Sequence, residues 1–208
     1  MNMSTVTLFP SLVTYLSKLN TLEVSVQRQE ALSPLRNLLK ERLAGEAPVE
    51  ITFICTHNSR RSHFGQVWMQ VLAAEAGFRH IKTYSGGTEA TACNPRTIQA
   101  LRAAGFEIAP STETENPHYH IRFSEELPGI EAWSKVYADA ANPQAGYIAI
   151  MTCDSANEAC PVVFGASARI PILYEDPKKF DDTPQEAAAY AERCRQIATE
   201  MKWVLEGI

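Results

Sequence analysis

Residues 55–62, which read CTHNSRRS, have the composition of an oxyanion site built around a nucleophile: a cysteine, five residues, an arginine and a serine. Arg61 can bind two oxygens of a tetrahedral anion with its planar guanidinium, which lysine cannot imitate. Ser62 can donate a hydrogen bond to the Cys55 sulfur. The segment therefore predicts an anion loop with Cys55 as the attacking thiolate.

The rest of the loop is expected to surround the anion with backbone N–H groups. Asn58 tolerates the left-handed backbone angles that such a cradle requires. Arg60 is either a solvated surface arginine or an additional positive charge at the mouth of the site. The residues expected to bind the oxyanion, besides Arg61, are Thr56, His57, Asn58, Ser59, Arg60 and Ser62. No histidine is needed as a catalyst.

A candidate general acid, Asp176, stands far downstream and is followed by Pro177. It comes after the last predicted strand, and ligands bind at the carboxyl ends of strands in open α/β sheets. The proline restricts Asp176 to an extended backbone. An aspartate held there can protonate a departing oxygen.

Cysteine placement suggests a thiol relay. Cys153 ends an apolar strand, and Cys160 follows after a short polar stretch. Either the pair is accidental, or one thiol attacks Cys55 and the other then takes over the disulfide. Cys194 is expected to be buried and inert, whereas Cys93 has no predicted role. No spacing of cysteine and histidine fits a zinc site, so no metal is expected.

The elements that position these residues alternate between strand and helix from Val49 onward, as in a parallel α/β sheet. The loop leaves a strand over 49–54 and enters a helix that stops at Gly77. Further strands are predicted at 80–85, 146–153 and 168–174, the last at an edge because of Pro171. A helix runs from Asn94 to Gly105, and a final helix is expected to be capped by Thr183 with Pro184 and Glu186.

Two segments fall outside this rhythm. Residues 1–48 are predicted to be a helical N-terminal extension, with one helix opening at Pro10 and another capped at Ser33, starting at Pro34 and ending at Gly45. Residues 110–145 are predicted to be a β-rich insertion within the domain formed by 49–208, with strands at 118–124 and 131–138. The extension is either a packing appendage or a surface for a partner.

Composition limits the partners. The chain has 208 residues and a formal net charge of −5, which argues against a broad grip on nucleic acid. No apolar run approaches the length of a membrane helix, and the first residues do not read as a secretory signal. The cysteine count, five, is odd, and a reducing compartment keeps thiols free, so a disulfide framework is not expected. A cytoplasmic protein is expected.

The anion loop CTHNSRRS precedes Asp176-Pro177 in the chain, and this order resembles that of the low-molecular-weight protein tyrosine phosphatase superfamily. Other cysteine phosphatases place their acid before the loop. Within the superfamily, Cys153-x6-Cys160-Pro161 resembles the redox pair of thioredoxin-coupled arsenate reductases. The segment SGGTEA at 85–90, followed by Asn94-Pro95, resembles their second strand and helix. The resemblance covers roughly 49–108 and 146–206.

The resemblance implies a flavodoxin-like fold with a four-stranded parallel sheet flanked by helices. It also implies arsenate reduction: Cys55 attacks arsenate, Asp176 protonates the leaving oxygen, Cys153 displaces arsenite, and Cys160 takes over the disulfide. Thioredoxin then reduces the Cys153–Cys160 pair, and no cofactor is required. The alternative is a phosphatase of the same fold, which needs Cys55, Arg61 and Asp176 only. A non-enzymatic oxyanion or redox sensor is a third possibility.

Three departures from the family pattern bear on these expectations. His57 stands where the family usually has glycine, so the backbone there should be strained or differently shaped. Gln66 replaces a glutamate that binds potassium in one subgroup, so potassium is not expected. Lys178 and Lys179 follow Asp176-Pro177, where tyrosine phosphatases typically have aromatic residues, and this weakens the phosphotyrosine alternative.

Overall fold

The computed structural model describes residues 6–45 and 47–208. Residues 1–5 and 46, which belong to the predicted N-terminal extension, lie outside the described residues. The helices are α1 (Pro10–Leu16), α2 (Val26–Leu43), α3 (Arg61–Glu75), α4 (Pro95–Ala104), α5 (Asp154–Ala159) and α6 (Glu186–Glu206). The strands are β1 (Val49–Cys55), β2 (Ile81–Gly87), β3 (Glu107–Pro110), β4 (Tyr119–Arg122), β5 (Ile130–Ala132), β6 (Ile148–Met151) and β7 (Ala168–Pro171).

The main sheet has four parallel strands in the order β2-β1-β6-β7. This arrangement, flanked by helices, confirms the predicted fold class. The chain moves outward from β1 to β2 on one side and from β6 to β7 on the other. The carboxyl ends of β1 and β6 therefore border the crevice where ligands bind in such sheets. Pro171 ends β7, which is an edge strand as predicted.

The sheet and its helices enclose the main hydrophobic core. Phe53 of β1 and Phe64 and Trp68 of α3 are almost completely buried, and Ile197 and Met201 of α6 are fully buried. The apolar spacing of α6 predicted this buried side, but Ala187, at the start of that pattern, is exposed. Packing of α3 against β1 fixes the direction in which the anion loop opens.

The helical extension exists, but its second helix begins earlier than predicted. Helix α2 starts at Val26 because the Ser25 side chain accepts a hydrogen bond from the Arg28 N–H at 3.3 Å. The prediction of Ser33 as the cap was wrong, and Pro34 lies inside the helix. A proline removes one N–H from the helical ladder. The carbonyl that loses its partner belongs to Glu30, which is exposed and can bind water instead.

The start of α6 also differs from the prediction. The helix begins at Glu186, with Gln185 at the cap position and no side-chain capping bond. Thr183 instead donates its hydroxyl to the Phe180 carbonyl at 2.6 Å. The Glu186 carboxylate accepts a hydrogen bond from the Asp182 N–H at 2.7 Å. In the predicted capping box the Glu186 carboxylate would accept from the Thr183 N–H. The observed donor, Asp182, lies one residue earlier.

The insertion forms a second sheet with antiparallel order β3-β4-β5. Its first strand, β3, begins before the predicted insertion and was not expected. The predicted strand at 131–138 is only partly a strand, since β5 ends at Ala132. Beyond it the chain turns to the end of β2, where the Gly87 N–H donates to the Lys135 carbonyl at 2.8 Å. The insertion thereby reaches the anion loop.

No helix among the described residues is long and apolar enough to cross a membrane.

Candidate active site

The anion loop, residues 55–62, connects the end of β1 to the start of α3. Its carbonyl groups point outward and are engaged: the Cys55 and Thr56 carbonyls accept from Thr88 and Glu89 N–H groups, at 3.1 and 2.9 Å. The Ser59 carbonyl accepts from the Asn94 N–H at 3.0 Å. The N–H groups of residues 56–62, by contrast, donate to no acceptor within the described part of the chain. Such a row of unpaired donors at a helix N-terminus is suited to an oxyanion.

Cys55 is buried beside Ser62, with 3.1 Å between Sγ and Oγ. The Ser62 hydroxyl oxygen accepts a hydrogen bond from Asn58 Nδ2 at 2.9 Å. With that oxygen acting as acceptor toward Asn58, the hydroxyl hydrogen is free to point at the sulfur. This geometry agrees with the predicted role of Ser62 as a donor to Cys55.

Asn58 has φ 45°, and it is fully buried. Its side-chain oxygen accepts from the Lys135 N–H at 3.0 Å. The left-handed conformation expected of Asn58 is therefore confirmed. Of the two alternatives expected at His57, a strained or a differently shaped backbone, strain is not observed, because among the described non-glycine residues only Asn58 and Asp182 have positive φ. The left-handed residue of the loop is Asn58, which directly follows His57.

His63, to which the sequence assigned no role, supports this turn. Its ring is fully buried, with Nε2 2.8 Å from the Asn58 carbonyl oxygen and Nδ1 3.3 Å from Ser85 Oγ. Burial, with a smaller contribution from the Lys135 charge, lowers the pKa of His63 to about 3. The neutral ring therefore donates through Nε2 to Asn58 and accepts through Nδ1 from Ser85. The sequence showed a histidine directly after the loop, but neither its burial nor its partners.

Arg61 begins α3 and is held at the carboxyl end of the sheet. Its Nη1 donates to the Tyr174 carbonyl at 2.9 Å, and its Nη2 contacts Asp176 Oδ2 at 2.7 Å. Its Nε is buried without a partner among the described residues. A donor left unpaired in a buried position costs free energy, and an oxyanion in the loop would satisfy it.

Asp176 lies where the sequence predicted it, after β7 at the same edge as the loop. Its backbone is extended, with φ −77° and ψ 123°, as Pro177 requires. Its second oxygen accepts from the Lys178 N–H at 3.0 Å. The structure thus brings Asp176 and Arg61 together beside the anion loop.

Arg60 is not the solvated surface arginine considered above, because its side chain is buried. Its Nε donates to the Tyr190 hydroxyl at 2.8 Å, and its Nη2 lies 3.6 Å from Asp181 Oδ2. Its guanidinium therefore joins the loop to α6, and only a weak contact of 3.9 Å reaches Asp176. Arg60 can offer the anion its backbone N–H.

Three other predicted binding residues direct their side chains elsewhere. Ser59 donates its hydroxyl to the Ala92 carbonyl at 2.7 Å. His57 Nε2 lies 3.0 Å from Glu89 Oε1 at the surface. Thr56 Oγ1 lies 3.5 Å from Cys153 Sγ. These residues would bind an anion only through the backbone.

Cys153 emerges beside the loop, as the parallel register requires. Ile54 pairs with Met151, so the next residues of both strands continue side by side. Cys153 is buried, and its Sγ accepts a hydrogen bond from the Ala156 N–H at 3.4 Å at the start of α5. Cys160 follows the other end of α5 and is partly exposed. All five cysteines are free.

The two remaining thiols lie outside the anion loop and the predicted relay. Burial raises the pKa of both Cys93 and Cys194 to about 12. Cys194 also accepts a hydrogen bond from Trp68 Nε1 at 3.2 Å. Cys194 is buried, as predicted, and Cys93 is buried as well; that Cys194 is inert stays a prediction.

The amino-acid sequence is similar to those of known proteins. Residues 50–120 match the family model described as low molecular weight phosphotyrosine protein phosphatase. The chain is 26% identical over 148 residues to an arsenate reductase of Bacillus licheniformis, covering 70% of this chain and 86% of that protein. It is 37% identical over 62 residues to arsenate reductase 2 of Staphylococcus haemolyticus, covering 30% of this chain and 44% of that protein.

Among solved structures, a low molecular weight phosphotyrosine phosphatase from Vibrio cholerae O395 is similar in fold, with a TM-score of 0.50 at 11% identity. The match covers 76% of this chain and 95% of that one. At this identity the likeness concerns the fold alone. Together with the sequence matches, it confirms the resemblance to low-molecular-weight phosphatases and arsenate reductases.

Proposed function

We propose that this chain, which has the fold and the anion loop of the low-molecular-weight protein tyrosine phosphatase superfamily, reduces arsenate to arsenite by a cysteine relay. The observation that carries the proposal is the position of Cys153, whose Sγ lies 3.5 Å from Thr56 Oγ1 of the anion loop. Phosphate ester hydrolysis needs no second thiol at this place. Reductive release of arsenic does.

The first step uses the loop. Arsenate would occupy the N–H cradle and take a hydrogen bond from the unpaired Nε of Arg61. The Cys55 thiolate then bonds to arsenic, and one arsenic oxygen leaves with a proton from Asp176. Since Arg61 Nη2 holds Asp176 Oδ2 at 2.7 Å, an anion competing for the guanidinium would free the carboxyl beside the departing oxygen.

The second step uses Cys153. Its sulfur attacks Cys55 Sγ, a disulfide forms, and the electron pair of the sulfur–arsenic bond stays with arsenic. Arsenic(V) thereby becomes arsenic(III), and the two thiols supply the two electrons. Ser62, 3.1 Å from Cys55 Sγ, would steady the sulfur during the exchange.

The third step requires α5 to open. Cys153 and Cys160 stand at opposite ends of this helix, and a rise of about 1.5 Å per residue places them roughly 10 Å apart. A disulfide needs Cα atoms within about 7 Å of each other. Attack by Cys160 on Cys153 would therefore unwind α5, release Cys55 as a thiol and present the new disulfide at the surface.

An external dithiol such as thioredoxin would restore the enzyme. Cys160 is the more exposed thiol of the pair, and the side chains of Val162 and Phe164, which follow it, are also exposed. Such apolar groups beside a disulfide suit contact with a reductant protein. Five free cysteines fit a cytoplasmic site of action.

Hydrolysis of phosphate monoesters is the second candidate, because the matching family model is that of a phosphatase. The residues beside Asp176 favour a small inorganic anion over an aryl phosphate ester as the substrate. The wall there is formed by Glu175, Asp176, Lys178 and Lys179. Of these, Lys178 is a cation without an ion pair among the described residues, and none is aromatic.

One assay pair tests the proposal. Arsenate turnover with a thioredoxin system and hydrolysis of an aryl phosphate are measured for Cys153→Ser and Cys160→Ser. Both variants should lose multiple turnover of arsenate and keep whatever aryl phosphate hydrolysis the parent has. Cys93→Ala removes a buried thiol outside the relay and serves as the matched control, with turnover retained.

A trapped intermediate gives a second readout. With Cys160→Ser, one equivalent of arsenate should accumulate a Cys55–Cys153 disulfide, visible by peptide mapping under non-reducing conditions. Normal arsenate turnover in both serine variants, or no such disulfide, would refute the relay and favour the phosphatase.

A further inference from the structure

A cavity of about 400 Å³ lies outside the anion loop. It is lined by α3, the edge strand β2 and the loops at one end of the antiparallel sheet, and it is open to solvent on one side. Cys55, Arg61 and Asp176 do not line it. Its size is that of a small-molecule site, and the chemistry proposed above does not use it.

Lys135 is the buried charged residue in the wall of this cavity. The residue is only 4% exposed, and its Nζ lies 4.0 Å from the centre of the Trp133 ring. Within the described part of the chain, no carboxylate or other acceptor forms an ion pair or hydrogen bond with this amine. Burial lowers the pKa of Lys135 to about 8, so the amine still carries a proton at neutral pH. A buried cation without an acceptor is costly unless an anion joins it.

Two buried oxygens in the same wall lack donors. Gln66 Oε1 and Asn142 Oδ1 have no hydrogen-bond partner among the described residues. Their amide nitrogens are already committed, to the Thr83 carbonyl at 3.4 Å and to the Ser85 carbonyl at 3.0 Å. Rotating either amide would place its oxygen against a carbonyl oxygen. Both oxygens are almost completely covered, so an external N–H or O–H group reaches one of them only if its side chain shifts toward the cavity.

The remaining lining is basic at the rim and apolar within. Lys82 is exposed and has no ion pair among the described residues. The acid in the lining, Glu131, is paired with His120. The apolar lining comes from Trp133 and from Phe123, Leu127 and Ile130.

We propose that this cavity binds a small organic anion that carries an aromatic or similarly apolar body and at least one N–H or O–H donor. The anionic group would pair with Lys135 and Lys82. The donor would bind Gln66 Oε1 or Asn142 Oδ1 after a small shift of that side chain toward the cavity. The apolar body would pack against Trp133. The site is independent of the proposed arsenate chemistry.

Two dyes with one shape test the charge requirement. 8-Anilinonaphthalene-1-sulfonate has a sulfonate, an N–H donor and a fused aromatic body, and N-phenyl-1-naphthylamine is the same molecule without the sulfonate. The sulfonate dye should bind with one-to-one stoichiometry, as measured by fluorescence titration. The uncharged dye should bind about tenfold more weakly or worse, as expected for loss of a charged hydrogen bond.

Variants locate the site. Lys135→Met should bring the affinity for the sulfonate down to that for the uncharged dye, and Lys82→Ala should cause a smaller loss. Lys178→Ala, which removes a lysine outside the cavity, should leave the affinity for both dyes unchanged. If Lys135→Met does not fold, as judged by circular dichroism, the dye pair and Lys82→Ala still decide the matter.

Saturating phosphate, which is expected in the anion loop, should leave dye binding unchanged. Equal affinity for both dyes, unchanged sulfonate binding in Lys135→Met or Lys82→Ala, or displacement by phosphate would overturn the proposal. None of these outcomes bears on whether the chain reduces arsenate.

Discussion

The Ser134 hydroxyl donates to the His57 carbonyl oxygen at 2.8 Å, so a residue of the insertion holds the anion loop from outside. The same hydroxyl oxygen accepts from the Thr91 N–H at 2.8 Å. The next residue, Lys135, donates its backbone N–H to Asn58. By engaging the outward side of the loop, the insertion leaves the inward N–H groups available to an anion.

Ser134→Ala should therefore impair the site without touching a reacting atom. It removes a donor to His57 and an acceptor for Thr91, and each lost hydrogen bond of this kind costs about 1 kcal/mol. We expect weaker phosphate binding and roughly tenfold lower kcat, corresponding to 1.4 kcal/mol. Steady-state kinetics and phosphate titration measure both.

Ser11→Ala is the control for this variant. It removes a side-chain hydrogen bond of 3.1 Å to the Gly105 carbonyl, remote from the loop. A Ser134→Ala protein that loses stability to the same degree as Ser11→Ala, with kinetics unchanged, would show that the bond to His57 does not position the loop.

Iodoacetamide should modify Cys55 before the other buried thiols. Cys93 and Cys194 have pKa values of about 12 because they are buried, and they should remain unmodified near neutral pH. Phosphate or sulfate should protect Cys55 by occupying the loop. Time-resolved peptide mapping checks the order, and earlier modification of Cys93 or Cys194 would contradict the assignment.

Arg61→Lys keeps a positive charge but loses the planar fork and the Nε donor. Turnover should fall on the order of a hundredfold or more, as when a preorganised oxyanion donor is removed. The measurement is kcat/KM for arsenate. Near-normal kinetics would mean that Arg61 serves only to tie Asp176 and Tyr174 to α3.

Asp176→Asn should lower turnover more than it weakens binding of phosphate, since the acid acts on the leaving oxygen. The amide can still accept from Arg61 Nη2, which keeps the guanidinium in place. Kinetics and equilibrium titration of the same preparation separate the two effects. Equal losses in both would show that Asp176 holds the pocket together and transfers no proton.

His63 should make the protein less stable in acid. Its folded-state pKa of about 3 lies below the ordinary value of about 6.5. Between these two pH values the unfolded chain therefore binds a proton at His63 and the folded chain does not. The stabilising contribution is complete above about pH 6.5 and is lost as the pH falls toward 3, by up to about 1.4 kcal/mol per pH unit.

Urea unfolding of the parent and of His63→Gln, between pH 7 and pH 5, measures this contribution. The glutamine amide can donate to the Asn58 carbonyl but does not titrate. The free energy of unfolding of His63→Gln should therefore depend less on pH than that of the parent, by up to about 1.4 kcal/mol per pH unit. Parallel pH profiles would show that the ring is not held neutral. The groups facing it are Lys135, Ser85 and Asn58.

Local sequence determined the elements that depend on neighbouring residues. The Asn94 cap and Gly105 stop of α4, the alternating and apolar runs of the parallel strands, and the left-handed Asn58 all follow from short-range preferences. The loop and the acid were identifiable for the same reason, because strand, loop and helix follow each other directly around Cys55, and Asp176 follows a strand.

Tertiary structure decided everything that joins distant segments. Arg60 became a buried link to α6 because Tyr190 and Asp181 meet it there, and His63 became a support because Ser85 and the Asn58 carbonyl lie on either side of its ring. The attachment of Ser134 and Lys135 to the loop spans 77 residues of chain. Hydrogen bonds of that range leave no periodic or local pattern in the sequence, because their geometry exists only once the sheet has brought the strand ends together.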